Sequence, residues 1–203
     1  MTNSLKTNYR DGDSFSKKAK LEGYRSRSSL KLKEIQKKDN LIKKGMSILD
    51  LGCFPGGWLQ VSSEIVGKDG KVFGVDIQKT EPLEGVRSLQ KSILDLTKED
   101  FTEDILPFDI VLSDMAPNIS GIAERDNALM IELLEKVEFS IKNFLKKGGS
   151  TIIKVFQGES LDYSKKFLKF FFEEVKVRKP DSSRPNSNET YILGINLKNK
   201  WVK

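Results

Sequence analysis

Residues Ser47–Trp58 read SILDLGCFPGGW. Ile48, Leu49 and Leu51 form a short apolar run, the pattern of a strand buried on both faces. Asp50 is expected to close it. Gly52, Pro55, Gly56 and Gly57 then make a turn that no bulky residue could follow. Trp58 opens a segment to Val66 with apolar residues at helical spacing. Strand, glycine turn and helix together build a nucleotide-sized pocket in an open parallel sheet. The glycines let a ligand touch backbone, and the first helical turn offers free N–H groups. The spacing is not that of the Gly-x-Gly-x-x-Gly dinucleotide fingerprint, because Cys53, Phe54 and Pro55 separate Gly52 from the next glycine. Nor does a Lys-Ser/Thr pair complete a P-loop. A second acid, Asp76, follows the strand-like run Lys71–Val75, where a carboxylate can hold both hydroxyls of a ribose. Taken alone, this loop fits an adenosine-type cofactor and an ordinary strand-to-helix turn about equally.

At 203 residues the chain is long enough for one domain with a substantial core. Its single cysteine, Cys53, excludes a disulfide framework and a Cys-rich zinc site. It has no histidine, which removes the commonest metal ligand, the commonest general base and every Ser-His-Asp scheme; no metal site is expected. No apolar run approaches membrane-spanning length and residues 1–10 lack a signal-peptide core, so a soluble, intracellular protein is expected. Charge is uneven. Residues 1–44 hold 13 Lys/Arg against 5 Asp/Glu, net +8, while the whole chain is +6, leaving the remainder at −2. A cationic segment on a nearly neutral body points to a polyanion, nucleic acid first, although a Lys-biased solubilising surface would look the same.

Along the chain, Met1–Asp13 is polar and expected to be disordered, with Ser14 capping a short basic helix to Leu21. Ser26–Ile35 has apolar Leu30, Leu32 and Ile35 interleaved with Arg27, Lys31 and Lys33, a second helix, and Asn40–Gly45 links it to the first strand. Further strands are expected at Lys71–Asp76, Val86–Leu89, Phe108–Ser113 and Ser150–Val155. A helix spans Ile122–Leu145, stopped by Gly148-Gly149. Another spans Leu161–Phe172, with Phe167, Phe170 and Phe171 facing inward. Val175–Val177 and Tyr191–Ile195 read as an antiparallel pair around the loop Lys179–Asn188. This alternation is that of a doubly wound α/β sheet.

Four ionisable residues carry candidate chemistry. Lys154 interrupts the apolar strand STIIKVF, which is costly unless it faces a cleft or a carboxylate. Asp114 stands at the C-terminal end of the neighbouring strand, the edge where ligands of open α/β sheets bind. Glu189 precedes the last strand, and Lys31 lies on the basic segment. A structural Asp–Lys pair with two surface charges would also account for them.

These stretches together resemble the FtsJ/RrmJ family of S-adenosylmethionine-dependent RNA 2′-O-ribose methyltransferases. The matching segments are RSRSSLKL at 25–32, LDLGCFPGGW at 49–58, LSDMAPNISG at 112–121, KVFQGE at 154–159, VRKPDSSRP at 177–185 and ETYI at 189–192. The resemblance implies a Rossmann-like class I methyltransferase fold: seven strands, mostly parallel, helices on both faces and a reversed last hairpin. It implies a basic N-terminal arm over 1–24 and the methyltransferase domain over 25–203. It places the family's catalytic tetrad on Lys31, Asp114, Lys154 and Glu189, with Lys154 as proton acceptor. It assigns the cofactor, converted to S-adenosylhomocysteine, to Gly56, Trp58, Asp76, Ser92 and Asp114. Two departures stand out. Cys53-Phe54 replaces the Ala-Ala of relatives, and Ser92 stands where relatives carry an aspartate near the adenine amine, with Asp95 close in sequence. The implied substrate is a uridine ribose in the A-loop of 23S rRNA in the large ribosomal subunit. A 2′-O-methyltransferase of tRNA or another RNA, or an inactive RNA-binding assembly factor, are the alternatives. RNA phosphate contacts are expected from Lys17, Lys18, Lys20, Arg25, Arg27, Arg178, Lys179 and Arg184. A cytoplasmic monomer, with neither membrane nor DNA as partner, completes the expectation.

Overall fold

The computed structural model describes residues 7–118, 120–184 and 187–198, with side chains from residue 14 onward. Its strands are β1 (Ser47–Leu51), β2 (Lys71–Asp76), β3 (Val86–Gln90), β4 (Phe108–Ser113), β5 (Leu145–Phe156), β6 (Phe172–Arg178) and β7 (Glu189–Leu197). They form one sheet in the order β3-β2-β1-β4-β5-β7-β6, parallel except for β7, which runs antiparallel to both β5 and β6. The helices are α1 (Thr7–Leu21), α2 (Ser28–Asp39), α3 (Gly57–Val66), α4 (Ala123–Phe144) and α5 (Glu159–Phe171).

The two-residue period of the strands divides the core into two layers. Ile48, Val72, Ile110, Leu112 and Ile152 point to one face and pack under Leu32 and Ile35 of α2 and Leu59 and Val61 of α3. Leu49, Leu51, Val75 and Val111 point to the other and meet Met130, Leu134, Val137 and Ile141 of α4 and Leu168 of α5. Each fully buried aliphatic side chain contributes about 1.5–3 kcal/mol, so α2 is fixed to the body by its own leucines and is not a loose appendage.

Several boundaries differ from expectation. The first helix begins at Thr7, seven residues before Ser14; the disorder expected of residues 1–6 lies outside the described residues. Asp50 sits inside β1, and Leu51 closes the strand. Helix α4 stops at Phe144 and β5 starts at once, so Gly148-Gly149 lies within the strand. Leu145 already pairs with Phe108 there, and the ladder then shifts register. Gly148 adopts φ +73°, and a Cβ on Gly149 would lie 2.8 Å from the Asp109 carbonyl oxygen, so the glycines serve the irregularity rather than the helix end. Phe167 and Phe171 pack against the core, but Phe170 is 73% exposed.

Candidate active site

Sheet register alone brings three of the four candidate residues to one edge. Ser113 pairs with Ile153, so Asp114 comes level with Lys154 at the C-terminal ends of β4 and β5. In the antiparallel β5–β7 pair, Lys154 lies opposite Tyr191 and Phe156 opposite Glu189. Lys31 arrives from the other direction, on α2. The Lys154 ammonium donates to the Asp114 backbone carbonyl and stands 3.1 Å from Asp114 Oδ1. Lys31 is ion-paired to Glu189. Both lysines are buried. Burial pushes the Glu189 carboxyl up, but the bond and charge of Lys31, with Ser183 and Lys154 adding to them, outweigh it and hold the group below its usual range.

Tyr191 joins the two pairs. It is fully buried, donates its phenolic proton to Asp114 Oδ1 at 2.7 Å, and has the Lys31 ammonium 5.8 Å from its ring centroid. Burial, then the charges of Asp114 and Glu189, drive the phenol far above its ordinary range, so it remains a donor.

Beside this cluster opens a cleft of about 530 Å³, a size suited to a nucleoside bearing a short tail. Gly52, Asp76, Ser92 and Asp114 line it, with apolar Ile93, Met115 and Leu133. Asp76 accepts the backbone N–H of Phe54 at 2.9 Å and of Gln78 at 2.8 Å, one on each oxygen. Ser92 accepts the Leu94 N–H at 3.2 Å and caps the 3₁₀ turn Ile93–Asp95; Asp95 is exposed and does not line the cleft. Gly56 and Trp58 do not line it either. Gly56, at φ +111°, precedes α3. The Trp58 side chain is 2% exposed, donates to the Ser28 carbonyl at 2.8 Å and lies against Tyr191.

Residues 24–197 match the FtsJ-like methyltransferase family. The chain is 43% identical over 197 residues to ribosomal RNA large subunit methyltransferase E of Stutzerimonas stutzeri, covering 92% of each chain. It is 44% identical over 188 residues to the Cellvibrio japonicus protein of the same name, covering 90% of this chain and 88% of that one. The protein belongs to the FtsJ-like methyltransferase family. A Plasmodium falciparum protein whose crystal structure is described as that of a ribosomal RNA methyltransferase superposes with a TM-score of 0.75 at 30% identity, over 87% of this chain and all of that one. Aeropyrum pernix fibrillarin, solved with S-adenosylmethionine bound, shares the fold at a TM-score of 0.56 and 18% identity, over 76% of this chain and 68% of that one.

Two residues expected among the RNA contacts of this FtsJ-like chain are committed elsewhere. Arg25 donates to the carbonyls of Glu81 and Pro82, both at 2.7 Å, and of Pro55 at 3.5 Å, tying the glycine turn to the loop after β2. Arg178 grips Asp39 with two hydrogen bonds at 2.8 and 2.7 Å. Arg27 donates to the Ser182 carbonyl at 2.7 Å, and Glu34 accepts the N–H groups of Asp181 and Ser182. These contacts hold the basic α2 against the late loop. Lys18, Lys20 and Arg184 are exposed. Sequence reasoning missed Tyr191 as a site residue, although its place two positions after Glu189 in a strand puts both on the same face of the sheet.

It also passed over Asp50. The carboxylate is fully buried with neither oxygen hydrogen-bonded among the described residues. Burial, with the charges of Asp114 and Asp76, drives it well above the usual carboxyl range. Cys53 is buried as well, its thiol pushed up to about 12 chiefly by burial, which suits a packing role rather than a nucleophile.

Proposed function

We propose that this protein transfers the methyl group of S-adenosylmethionine to the 2′-hydroxyl of a uridine ribose in 23S rRNA of the large ribosomal subunit, acting as a monomer in the cytoplasm. The observation that carries the reading is the convergence of Lys154–Asp114 and Lys31–Glu189 beside a nucleoside-sized cleft.

The residues fit the cofactor. Each Asp76 oxygen keeps a lone pair beyond its backbone bond, enough for the two hydroxyls of a ribose. The Ser92 oxygen serves the adenine amine, with apolar Ile93 and Leu133 for the ring, and Asp114 serves the methionine portion. Gly56 and Trp58, neither of which lines the cleft, act on the cofactor indirectly, by shaping the turn into α3, since the indole is spent in the core. When bound, S-adenosylmethionine supplies an electrophilic methyl on a sulfonium, so the leaving group departs neutral.

The protein's own tasks are alignment and proton removal. Lys154, in its neutral form, accepts the 2′-hydroxyl proton. The ammonium formed is held by the Asp114 carbonyl and, 3.1 Å away, its carboxylate, which favours the transfer. Tyr191 keeps the carboxylate turned toward Lys154. Glu189 positions Lys31, whose charge steadies the developing oxyanion.

The test is incubation with labelled S-adenosylmethionine and undermethylated large subunits, free 23S rRNA or tRNA, followed by alkaline hydrolysis. Label in an alkali-resistant dinucleotide from the large-subunit RNA supports the reading; label confined to tRNA, or none, overturns it.

A further inference from the structure

A second groove, of about 470 Å³, lies between α2 and the last hairpin, lined by Lys37, Lys38, Arg178, Lys179, Glu34 and Asp181 among others. Its charges are not balanced. Glu34 is occupied by the N–H groups of Asp181 at 2.6 Å and Ser182 at 3.2 Å. Arg178 is neutralised by Asp39. Among the described residues, Lys179 reaches only a carbonyl, that of Ser187, at 3.1 Å. The side chains of Lys37 and Lys38 are exposed and make no hydrogen bond or ion pair among the described residues. Glu34 keeps its negative charge while accepting those N–H groups, and Asp181 adds a second, so against Lys37, Lys38 and Lys179 the groove carries a small excess of positive charge.

The groove is joined to the reacting centre by the helix itself. Lys31, Glu34 and Lys38 are spaced i, i+3, i+7 and share one face of α2. Seven residues of helix span about 10 Å. That face already runs along the late loop, through Arg27 to Ser182 and Glu34 to Asp181. A strand whose ribose sits at Lys31 and Lys154, running along α2, meets this groove next, and what it presents there at regular intervals is phosphate.

We propose that this groove is a phosphodiester subsite for the substrate RNA, in which Lys37 and Lys38, with Lys179, hold the strand flanking the target ribose. This rests on the RNA-methylating reading above. The subsite sets affinity and register without reading base identity.

The test uses the full chain with undermethylated large subunits for kinetics and a 23S rRNA fragment for binding. K37E/K38E is compared with K166E/K169E, a charge-matched pair of exposed lysines on α5, across the sheet. K37E/K38E should raise the RNA KM about tenfold and flatten the log–log dependence of RNA affinity on salt by about 1.5–2, two phosphate contacts' worth, with S-adenosylmethionine affinity unchanged. K166E/K169E should change neither by more than about twofold. Wild-type KM and salt slope in K37E/K38E, or an equal loss in both pairs, overturns the subsite; the second result would mean bulk charge steering alone. Should K37E/K38E also lose S-adenosylmethionine affinity, as a misfolded chain would, K37Q/K38Q decides by the same KM and slope. If the wild type transfers no methyl to rRNA, the functional reading falls, while the binding measurements still decide for or against the groove.

Discussion

Tyr191 donates a 2.7 Å hydrogen bond to the same Asp114 oxygen that lies 3.1 Å from the Lys154 ammonium. One carboxylate oxygen is thus held from both sides, and a buried phenol fixes where the lysine's counter-charge sits. Removing only the hydroxyl, in Tyr191→Phe, leaves the ring against Trp58 and frees the carboxylate. A hydrogen bond to a charged group contributes about 1.5–3 kcal/mol. The variant should lose stability on that scale in urea unfolding and lose about tenfold in kcat, with S-adenosylmethionine affinity retained. Wild-type kcat would show that the hydroxyl is only a packing element.

Asp50 predicts a pH signature. Its folded-state proton is held more tightly than in the unfolded chain, because the site is dry and faces two other acids. The folded state therefore binds more protons, and this residue lowers stability progressively as pH rises above the unfolded carboxyl value, about 3.9. Asp50→Asn removes that titration. Unfolding at a series of pH values should show the variant gaining on wild type from pH 4 upward. Parallel stability curves would contradict the shift.

Arg25 predicts a split between the two ligands. Its guanidinium bonds carbonyls of three residues around the glycine turn, and a Cβ on Gly56 would lie 2.8 Å from it. Arg25→Ala should weaken S-adenosylmethionine about tenfold, the equivalent of about 1.4 kcal/mol, with partial rescue by Arg25→Lys. RNA affinity and its salt slope should stay near wild type. A loss of RNA affinity instead would return Arg25 to the phosphate contacts.

The Lys31–Glu189 pair predicts acid sensitivity. Glu189 is depressed in the folded state despite burial, so its contribution is fully present above the unfolded carboxyl value near 4.3 and is lost as pH falls through the lower folded value. Glu189→Gln should flatten the acid limb of stability in thermal unfolding below about pH 4.5; an unchanged limb would assign that limb to other carboxylates.

The strands were legible because apolar runs such as FDIVLS leave few alternatives, and β2 and β4 fall on the expected residues. Lysine inside STIIKVF was legible for the opposite reason: a buried charge demands a partner, and register supplies Asp114. The α4–β5 junction was not, because a glycine pair reads the same at a helix stop and at a strand irregularity until Leu145 is seen pairing with Phe108. Phe170 was misplaced because Phe167, Phe170 and Phe171 fall on one i, i+3, i+4 stripe, whereas the buried face of α5 is centred on Ser160, Ser164 and Leu168, which leaves Phe170 beyond its edge. Arg25 and Arg178 looked like solvated cations, since neither the carbonyls of residues 55, 81 and 82 nor Asp39 is near them in sequence. Tyr191 was hidden inside a run of strand-forming apolar residues.

Lys154 is proposed to work on the sugar oxygen at the mouth of the cofactor cleft. The direct measurement is methyl transfer by Lys154→Ala to undermethylated large subunits, set beside its S-adenosylmethionine affinity. No alkali-resistant labelled dinucleotide is expected, while the cofactor still binds as in wild type. Methyl transfer at the wild-type rate in that variant would contradict it.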